Sequence, residues 1–450
     1  MNIDSRYQFV THTFGCKVNT YDSGLLQKKL ESYGYVSALK TESEVPQIHL
    51  LNSCAVTAEA SKEALRLARK IKSKQPLAKV ILTGCAAQVD TEMFSQSSVI
   101  DLVVANSHKS LIPFLIDDLF KGKLTEKTYK SNIFKKEDLE EGGGIEESHS
   151  RSFLKIQDGC NSFCTYCVIP FARGKSRSLT VSHLVQRVQE LYKKGIREVV
   201  LTGVHIGDYE DESSGRRNKL EDLVESLLLK TQMPRFRLSS LEPIEVTSRL
   251  LDLYTDSRMC PHFHMSIQSA ESQVLKDMKR NYSSERVRKS LEDIQSKVPG
   301  AYVGMDVIVG FPTESEQQFI STYELLSSTP WTRIHVFPYS ERPGTRAAKF
   351  EETVRPEERS RRSARLREMS LERQNAWAQK QIGTTKNVLA LKPKRKEGNS
   401  VPTLSRDYWN ILIPPSRPFE ELKEEFSVQV ERCELNPRGE FVLFGREVHG

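Results

Sequence analysis

Cysteine is scarce in this chain, with eight in 450 residues. That is too sparse for the cross-linked scaffold of a small secreted protein, so the thiols are expected to be reduced and put to another use. Long apolar runs are missing as well. No stretch approaches the roughly 20 residues that span a bilayer, and the opening MNIDSRYQFV lacks the basic-then-apolar layout of a signal peptide. A cytoplasmic protein without membrane contact is expected. An excess of one charge is also lacking: 66 basic against 59 acidic residues leave a net charge of only +7, which permits a nucleic-acid partner without demanding one. Nothing in the composition implies disorder or a fibre, and the length suits about three domains.

Six of the eight cysteines fall into two sets. Cys160, Cys164 and Cys167 lie in DGCNSFCTYCVIPFARG, a C-x3-C-x2-C spacing that gathers three thiolates on one short loop. Such soft ligands suit an iron-sulfur cluster or zinc. A closed zinc site takes four ligands, so the zinc reading needs a distant histidine to complete a knuckle. The second set emerges from the strand pattern. YQFVTHTFGC, IHLLNSC and KVILTGC each read as a β run ending at a cysteine, namely Cys16, Cys54 and Cys85. Helical patterns lie between them, one from Asp22 and one from Thr57, the latter with Thr57 as its cap. Strands alternating with helices imply a parallel sheet whose carboxyl ends share one edge, so three cysteines distant in sequence would converge there. Ordinary buried strand-end thiols are the plainer alternative. Cys260 and Cys433 are left over and read as small buried apolar side chains.

From about Phe120 to Ser150 the pattern gives way to the charged, glycine-containing KKEDLEEGGGIEESHSRS, read as a linker. Beyond it FLKIQ, REVVLTG, RFRLSS, HFHMSIQ, YVGMDVIVGF and RIHVFPYS recur with helices between them, six βα units of an incomplete parallel barrel. SHLVQRVQELYKKG, stopped by Gly195, and LEDLVESLLLK carry apolar stripes assigned to packing. Chemistry gathers where such strands end. Gly203 permits close backbone approach, Glu242 suits an ammonium, and Gln268 suits a ribose or carboxylate; structural hydrogen bonds are the alternative for the last two. His205 reads as a loop or core histidine and Glu314 as a helix cap. Around Arg355 a strongly charged helix, with Arg359, Arg362 and Arg373, reads as a solvated face or a basic patch. The last segment carries the short strands of a small β-barrel. Lys392, Lys394, Arg395 and Lys396 beside Tyr408 and Trp409 suit phosphate contact and base stacking, with barrel-core packing the alternative for the two aromatics.

The cysteine loop with its VIPFARG continuation resembles the radical S-adenosylmethionine (SAM) superfamily, and the chain as a whole resembles the methylthiotransferase family. The resemblance covers nearly all residues. It implies an α/β fold of three parts: a doubly wound parallel-sheet domain over 1–122, a linker over 123–150, a partial (β/α)6 radical-SAM barrel with trailing helix over 151–378, and a small antiparallel TRAM barrel over 381–450. Within the family, TFGCKVNTYDS, LTGVHIGDY and FPYSERPGTRAA are similar to the branch acting on N6-threonylcarbamoyladenosine of transfer RNA. The isopentenyladenosine branch carries a Gln-Asn-Val segment where this chain has Gly203-Val204-His205-Ile206. A third branch modifies an aspartate of a ribosomal protein and also carries a TRAM barrel, so that barrel does not by itself establish an RNA substrate.

By that resemblance Cys160, Cys164 and Cys167 hold the 4Fe-4S cluster that cleaves SAM, and Cys16, Cys54 and Cys85 hold a second, auxiliary 4Fe-4S cluster. Asp306 and Gly310 stand where the superfamily contacts cofactor. The adenine carbon to be modified bears a strong, non-acidic C–H bond, which calls for a radical rather than a base. One SAM supplies it, a second methylates sulfur carried by the auxiliary cluster, and coupling gives a 2-methylthio nucleoside. An anticodon loop with the base splayed out suits the close approach required. An electron donor and a sulfur source are further partners, and a monomer is the default. An arginine fork is the natural partner for the threonylcarbamoyl carboxylate, with Arg173 and Arg177 as candidates by location, although both are also placed to fasten the loop or touch SAM. Tyr166 stands beside the cluster or simply packs. A metal-stabilised RNA-binding protein without catalysis is the reading from another class.

Overall fold

The strand Ile48–Ser53 is buried at all six positions, as a strand covered on both faces must be. The computed structural model describes residues 7–38, 46–136, 139, 150–213, 215–392, 400–415, 418–437 and 439–448. Ile48–Ser53 lies within a six-stranded sheet in the order Val36–Ser37, Gln8–Thr13, Ile48–Ser53, Lys79–Gly84, Leu102–Val104, Thr128–Tyr129. Every neighbouring pair is parallel. Alternation along the strands divides the core between the two faces. Leu50 joins Phe9, Leu30, Ile81 and Ile112 on one side, and Leu51 joins Ala68, Leu82 and Phe94 on the other.

Helix Ala58–Lys74 starts at its expected cap, with Thr57 accepting from the Ala60 N–H. The first helix starts earlier than its apolar pattern suggests, at Lys17 rather than Asp22. Cys16 takes the N-cap position in extended backbone, and the first turns bury Val18, Asn19 and Tyr21. The final strand, Thr128–Tyr129, falls inside the stretch read as linker from residue 123. It pairs with Leu102–Val104, and Tyr129 packs against the first core, so the sheet runs past the expected boundary at 122. The glycine run 142–144 lies outside the described residues.

The second sheet system is an arc of parallel strands in chain order: Arg151–Lys155, Glu198–Thr202, Phe236–Leu238 continuing as Ser240–Leu241, His262–Gln268, Tyr302–Val309 and Arg333–Pro338. Between Leu238 and Ser240 the third strand changes partner, pairing first with Glu198–Thr202 and then with His262–Gln268. Ser239 sits at that switch. Helices on the outside bury Leu184, Val188, Leu223, Leu227, Leu291 and Phe319 against the strands. Helix Pro356–Gln379 closes the arc's last edge, burying Leu366 and Met369. Its Arg362 is not a solvated charge: it is 4% exposed and meets Glu314, Glu316 and Glu358.

The last five strands, Thr385–Ala390, Val401–Ser405, Asn410–Ile413, Phe426–Leu435 and Phe441–Glu447, form a closed barrel around Val388, Ile411, Ile413, Val428 and Leu443. It docks on the amino ends of the arc through a buried ion cluster. Glu198 takes Arg151, Arg235 and Arg237 at 2.8 to 3.1 Å, and the same Arg235 and Arg237 donate to the carbonyls of Leu404 and Ser405. Burial opposes ionisation of Glu198, but the three guanidiniums hold its carboxyl well below the usual range. No described helix is long and apolar enough to cross a membrane.

Candidate active site

Three successive strands of the first sheet deliver Cys16, Cys54 and Cys85 to one edge, since parallel strands end on the same side. The local backbone enforces the approach. Gly15 has φ +86°, and a Cβ there would lie 2.6 Å from Cys54 Sγ. Gly84 has φ +93° and sits where a Cβ would meet the Ser53 carbonyl oxygen at 2.4 Å. Burial raises the pKa of Cys54 to about 12, and the neighbouring Cys85 adds to the shift. Burial likewise raises Cys85, against the opposing charge of Arg173. Burial and neighbouring thiolates disfavour ionised Cys54 and Cys85 beyond what Arg173 offsets, and bound metal would supply the missing positive charge.

Behind them lies a dense charge network. Arg173 Nε donates to Cys85 Sγ at 3.2 Å. Its two terminal nitrogens reach Asp158 at 2.8 Å, Asp22 at 3.0 Å and Asn19 at 2.6 Å. Lys155 bridges the same two carboxylates at 2.7 and 3.1 Å, and Lys109 reaches Asp22 at 3.3 Å. Burial works against ionisation of Asp22 and Asp158, yet the cations hold both well below the ordinary carboxylate range. The cations outnumber the carboxylates in this network, so a negatively charged group at Cys85 fits it, although burial lowers Lys109. Arg173 ends the short helix Ile169–Arg173 that follows the cysteine loop. One side chain therefore ties the loop of Cys160, Cys164 and Cys167 to the sheet that carries Cys16, Cys54 and Cys85.

Cys160, Cys164 and Cys167 project from the loop after the first barrel strand, each partly exposed. Phe163 adopts φ +48° between them, and the Ser162 and Ile169 N–H groups donate to Cys160 and Cys167 at 3.4 and 3.5 Å. Burial, then the neighbouring Cys164, raises Cys167 to about 12. Cys160 is different. Burial opposes its thiolate, but hydrogen bonds from His205 and Ser162 lower its pKa. His205 lies 2.5 Å from Glu245 through Nε2 and 3.3 Å from Asp208 through Nδ1. Burial would lower it, but the bonds to Asp208, Cys160 and Glu245 raise it far above the usual imidazole range. His205 is therefore not a simple core histidine: a ring nitrogen, the Cys160 thiol and an Asp208 oxygen lie within 4.8 Å of one another, close enough to share a metal ion.

Between the two sheets lies a cavity of about 480 Å³. Cys16, Cys54 and Cys85 form one wall with Lys17, and the other carries Gly203, Ser239, His264, Asp306 and His335. Asp306 Oδ2 and His264 Nε2 are 2.9 Å apart. Burial, reinforced by Arg333, lowers His335 to about 4, leaving it neutral at pH 7. Ser239 is 4% exposed, and its Oγ has no hydrogen-bond partner among the described residues.

The expected site residues have the following surroundings. Glu242 forms an ion pair with Arg280, which also donates to the Tyr166 hydroxyl at 2.8 Å. Gly203 is approached by Gln157, whose Oε1 a Cβ there would meet at 2.8 Å. Gln268 ends its strand at φ +62°, after a register shift. Gly310 accommodates Arg359, whose Cγ a Cβ would meet at 2.4 Å. Arg173 is fully engaged and offers no fork to a ligand, and Arg177 fastens the loop through the carbonyls of Lys136, Arg173 and Lys175. Tyr408 stacks on His262 at 3.8 Å under the Arg237 guanidinium, and Trp409 packs edge-on to Tyr302 at 5.2 Å. Both therefore cement the small barrel to the arc instead of facing solvent for base stacking. Lys394, Arg395 and Lys396 lie outside the described residues. Cys260 is buried as expected, whereas Cys433 is partly exposed and accepts from Gln379 at 3.2 Å. Neither Arg280 nor Ser239 was marked by any pattern in the chain. Lys17 was findable, since it adjoins a strand-end cysteine and must share its edge.

Residues 154–326 match the radical SAM superfamily, and residues 8–105 match a family described as "Uncharacterized protein family UPF0004". The chain is 33% identical over 385 residues to threonylcarbamoyladenosine tRNA methylthiotransferase MtaB of Aquifex aeolicus, covering 85% of this chain and 92% of that one. The protein of the same name from Rickettsia prowazekii is 34% identical, with 84% and 86% covered. A tRNA-2-methylthio-N(6)-dimethylallyladenosine synthase of Corynebacterium glutamicum is 31% identical, over 84% of this chain and 73% of that one. Among solved structures, the radical S-adenosylmethionine methyltransferase TsrM of Kitasatospora setae shares the fold, with a TM-score of 0.53 at 14% identity over 73% of this chain and 72% of that one. Matched along most of its length by relatives of this kind, the chain is a transferase of the radical-SAM methylthiotransferase family, MtaB-type, with SAM and 4Fe-4S clusters as its cofactors.

Proposed function

We propose that this enzyme converts N6-threonylcarbamoyladenosine beside the anticodon of transfer RNA into its 2-methylthio derivative. Cys160, Cys164 and Cys167 hold the cluster at which SAM is cleaved, and Cys16, Cys54 and Cys85 hold the second. The units involved are the sheet domain, the partial barrel and the small closed barrel. The protein works in the cytoplasm as a monomer, taking electrons from a separate donor and sulfur from a separate source.

The observation that carries this reading is the cavity in which the strand-end thiols face the inner side of the barrel. The donor sets suit the groups assigned to them. Each offers three thiols and no fourth soft ligand among its described neighbours, and cations outnumber carboxylates behind Cys85. When bound, these groups supply the hydrogen-abstracting radical, the methyl group and the sulfur atom. The chain's own residues do the positioning. Glu242 and Arg280 brace Tyr166 beside Cys164 and Cys167, with Gly203, Glu242 and Gln268 proposed on the cofactor side. Asp306 and Gly310 belong with them on the cofactor side, and Asp306, bonded to His264, also lines the cavity that holds Cys16. A splayed base fits such a recess, which shields it from water while its C2 edge faces the strand-end thiols.

Mass spectrometry of nucleosides from the transfer RNA of cells with and without this protein tests the reading. Disappearance of 2-methylthio-N6-threonylcarbamoyladenosine with accumulation of its unthiolated precursor is expected. An unchanged level of that nucleoside, with loss of the isopentenyl analogue instead, would overturn it.

A further inference from the structure

The threonylcarbamoyl group ends in a carboxylate, and the reading above requires a cation to meet it. Arginine forks at Arg173 and Arg177 are excluded by their bonds to Asp22, Asp158 and backbone carbonyls. Among the described residues lining the cavity, the remaining lysine or arginine is Lys17. Its ammonium makes no hydrogen bond or ion pair with a described residue. The single acid of that lining, Asp306, has its Oδ2 on His264, and the neutral His335 adds no positive charge. The same cavity is lined by Ser239, and of the buried side-chain atoms that lack a hydrogen-bond partner among the described residues its Oγ is the one that belongs to this lining, which points to a ligand there.

We propose that Lys17 is the specificity-determining residue of this enzyme, binding the substrate carboxylate through a charge-assisted hydrogen bond, while Ser239 Oγ bonds the polar part of the same side chain. The assignment rests on the threonylcarbamoyl reading. Its logic is that of a polar pocket: an apolar substituent in the same place leaves a buried ammonium unpaired, so the site rejects it as well as accepting the acid. Lys17 adjoins Cys16 in the chain and opens the helix that Cys16 caps, so the residue that selects the substrate sits beside a thiol of the strand-end set.

The test is binding of anticodon stem-loops to the cluster-loaded full chain, measured by fluorescence anisotropy, for loops bearing threonylcarbamoyladenosine, its carboxamide, or plain adenosine. Iron content and substrate-free SAM cleavage serve as integrity controls for each variant. The unsubstituted protein is expected to prefer the acid over both other loops. Lys17→Gln should cut that preference by about ten- to a hundredfold, the range of a hydrogen bond to a charged group, and should bind the carboxamide as well as the acid. Lys17→Arg should restore most of the preference, and Ser239→Ala should lose less. Full retention of the preference by Lys17→Gln overturns the role of Lys17 and leaves the substrate reading standing. Absence of any preference in the unsubstituted protein overturns both.

Discussion

The two cysteine sets do similar work by opposite constructions. Cys160, Cys164 and Cys167 share one loop, partly exposed, and their spacing is written in consecutive residues. Cys16, Cys54 and Cys85 come from three strands and meet only because the sheet is parallel. The loop set leans on a histidinium, with His205 between Asp208 and Glu245. The strand-end set leans on Arg173 and the Asp22, Asp158 and Lys155 network. A local motif keeps its ligands together even if its surroundings shift, whereas a set assembled from distant strands depends on every contact that keeps those strands in register. The difference is sharpest at Arg173, which belongs in sequence to the first construction and in space to the second.

Replacing the cysteines separates the two most strongly. With Cys160, Cys164 and Cys167 changed to Ala, SAM cleavage should fall by more than about a hundredfold, beyond what loss of supporting contacts alone causes. With Cys16, Cys54 and Cys85 changed to Ala, cleavage should persist and the methylthio product should vanish. Anaerobic assay of 5′-deoxyadenosine alongside nucleoside mass spectrometry reads both. Loss of cleavage in a well-folded strand-end variant would break the division.

Arg173→Met should come next. Removing one partner of a buried ion network costs about 3–5 kcal/mol. Iron bound by the strand-end set should drop in a protein lacking the loop cysteines, and iron bound by the loop set should survive in a protein lacking the others. Equal loss in both backgrounds would mean that Arg173 supports the two sets alike. A milder probe of the same set is Gly15→Ala. Its positive φ costs a substituted residue about 1–3 kcal/mol, and the new Cβ would press on Cys54 Sγ, 2.6 Å away. Iron titration of the strand-end set should show weaker retention.

The charge partners also titrate in opposite directions. Asp22 and Asp158 are depressed in the folded state, so their stabilisation is complete above the unfolded value of about 3.9 and is lost as pH falls through the folded values. His205 is raised, so its contribution is complete below about 6.5 and is lost as pH rises toward its folded value. Melting temperature followed against pH should therefore lose its acid slope in Asp22→Asn and its alkaline slope in His205→Gln. The smallest effect concerns the helix cap at Thr57, where Thr57→Ala should cost about 1 kcal/mol in urea unfolding and leave both iron sites intact.

Legibility in the sequence followed the range of the contacts. The cysteine loop could be read directly because its ligands are neighbours. The strand-end cysteines could be read at one remove, since βα alternation implies a shared edge. Tyr408 and Trp409 could not, because whether an aromatic faces solvent or another domain depends on what docks there, and their partners His262 and Tyr302 are more than a hundred residues away. The extra strand Thr128–Tyr129 was hidden for a similar reason: two residues make too short a pattern to stand out without the neighbour they pair with.

By itself the sequence determined the order of the three structural units, the parallel sheets, the closing barrel and the six thiols, because periodicity and spacing are properties of the chain alone. Only the tertiary structure decided which charges remained available. It spent Arg173 on Asp22, 151 positions away, folded Arg177 back on carbonyls, and left the Lys17 ammonium in the cavity without a partner among the described residues. Pairing between charges is set by distance in space, and the fold brings together groups whose separation along the chain carries no trace of that meeting.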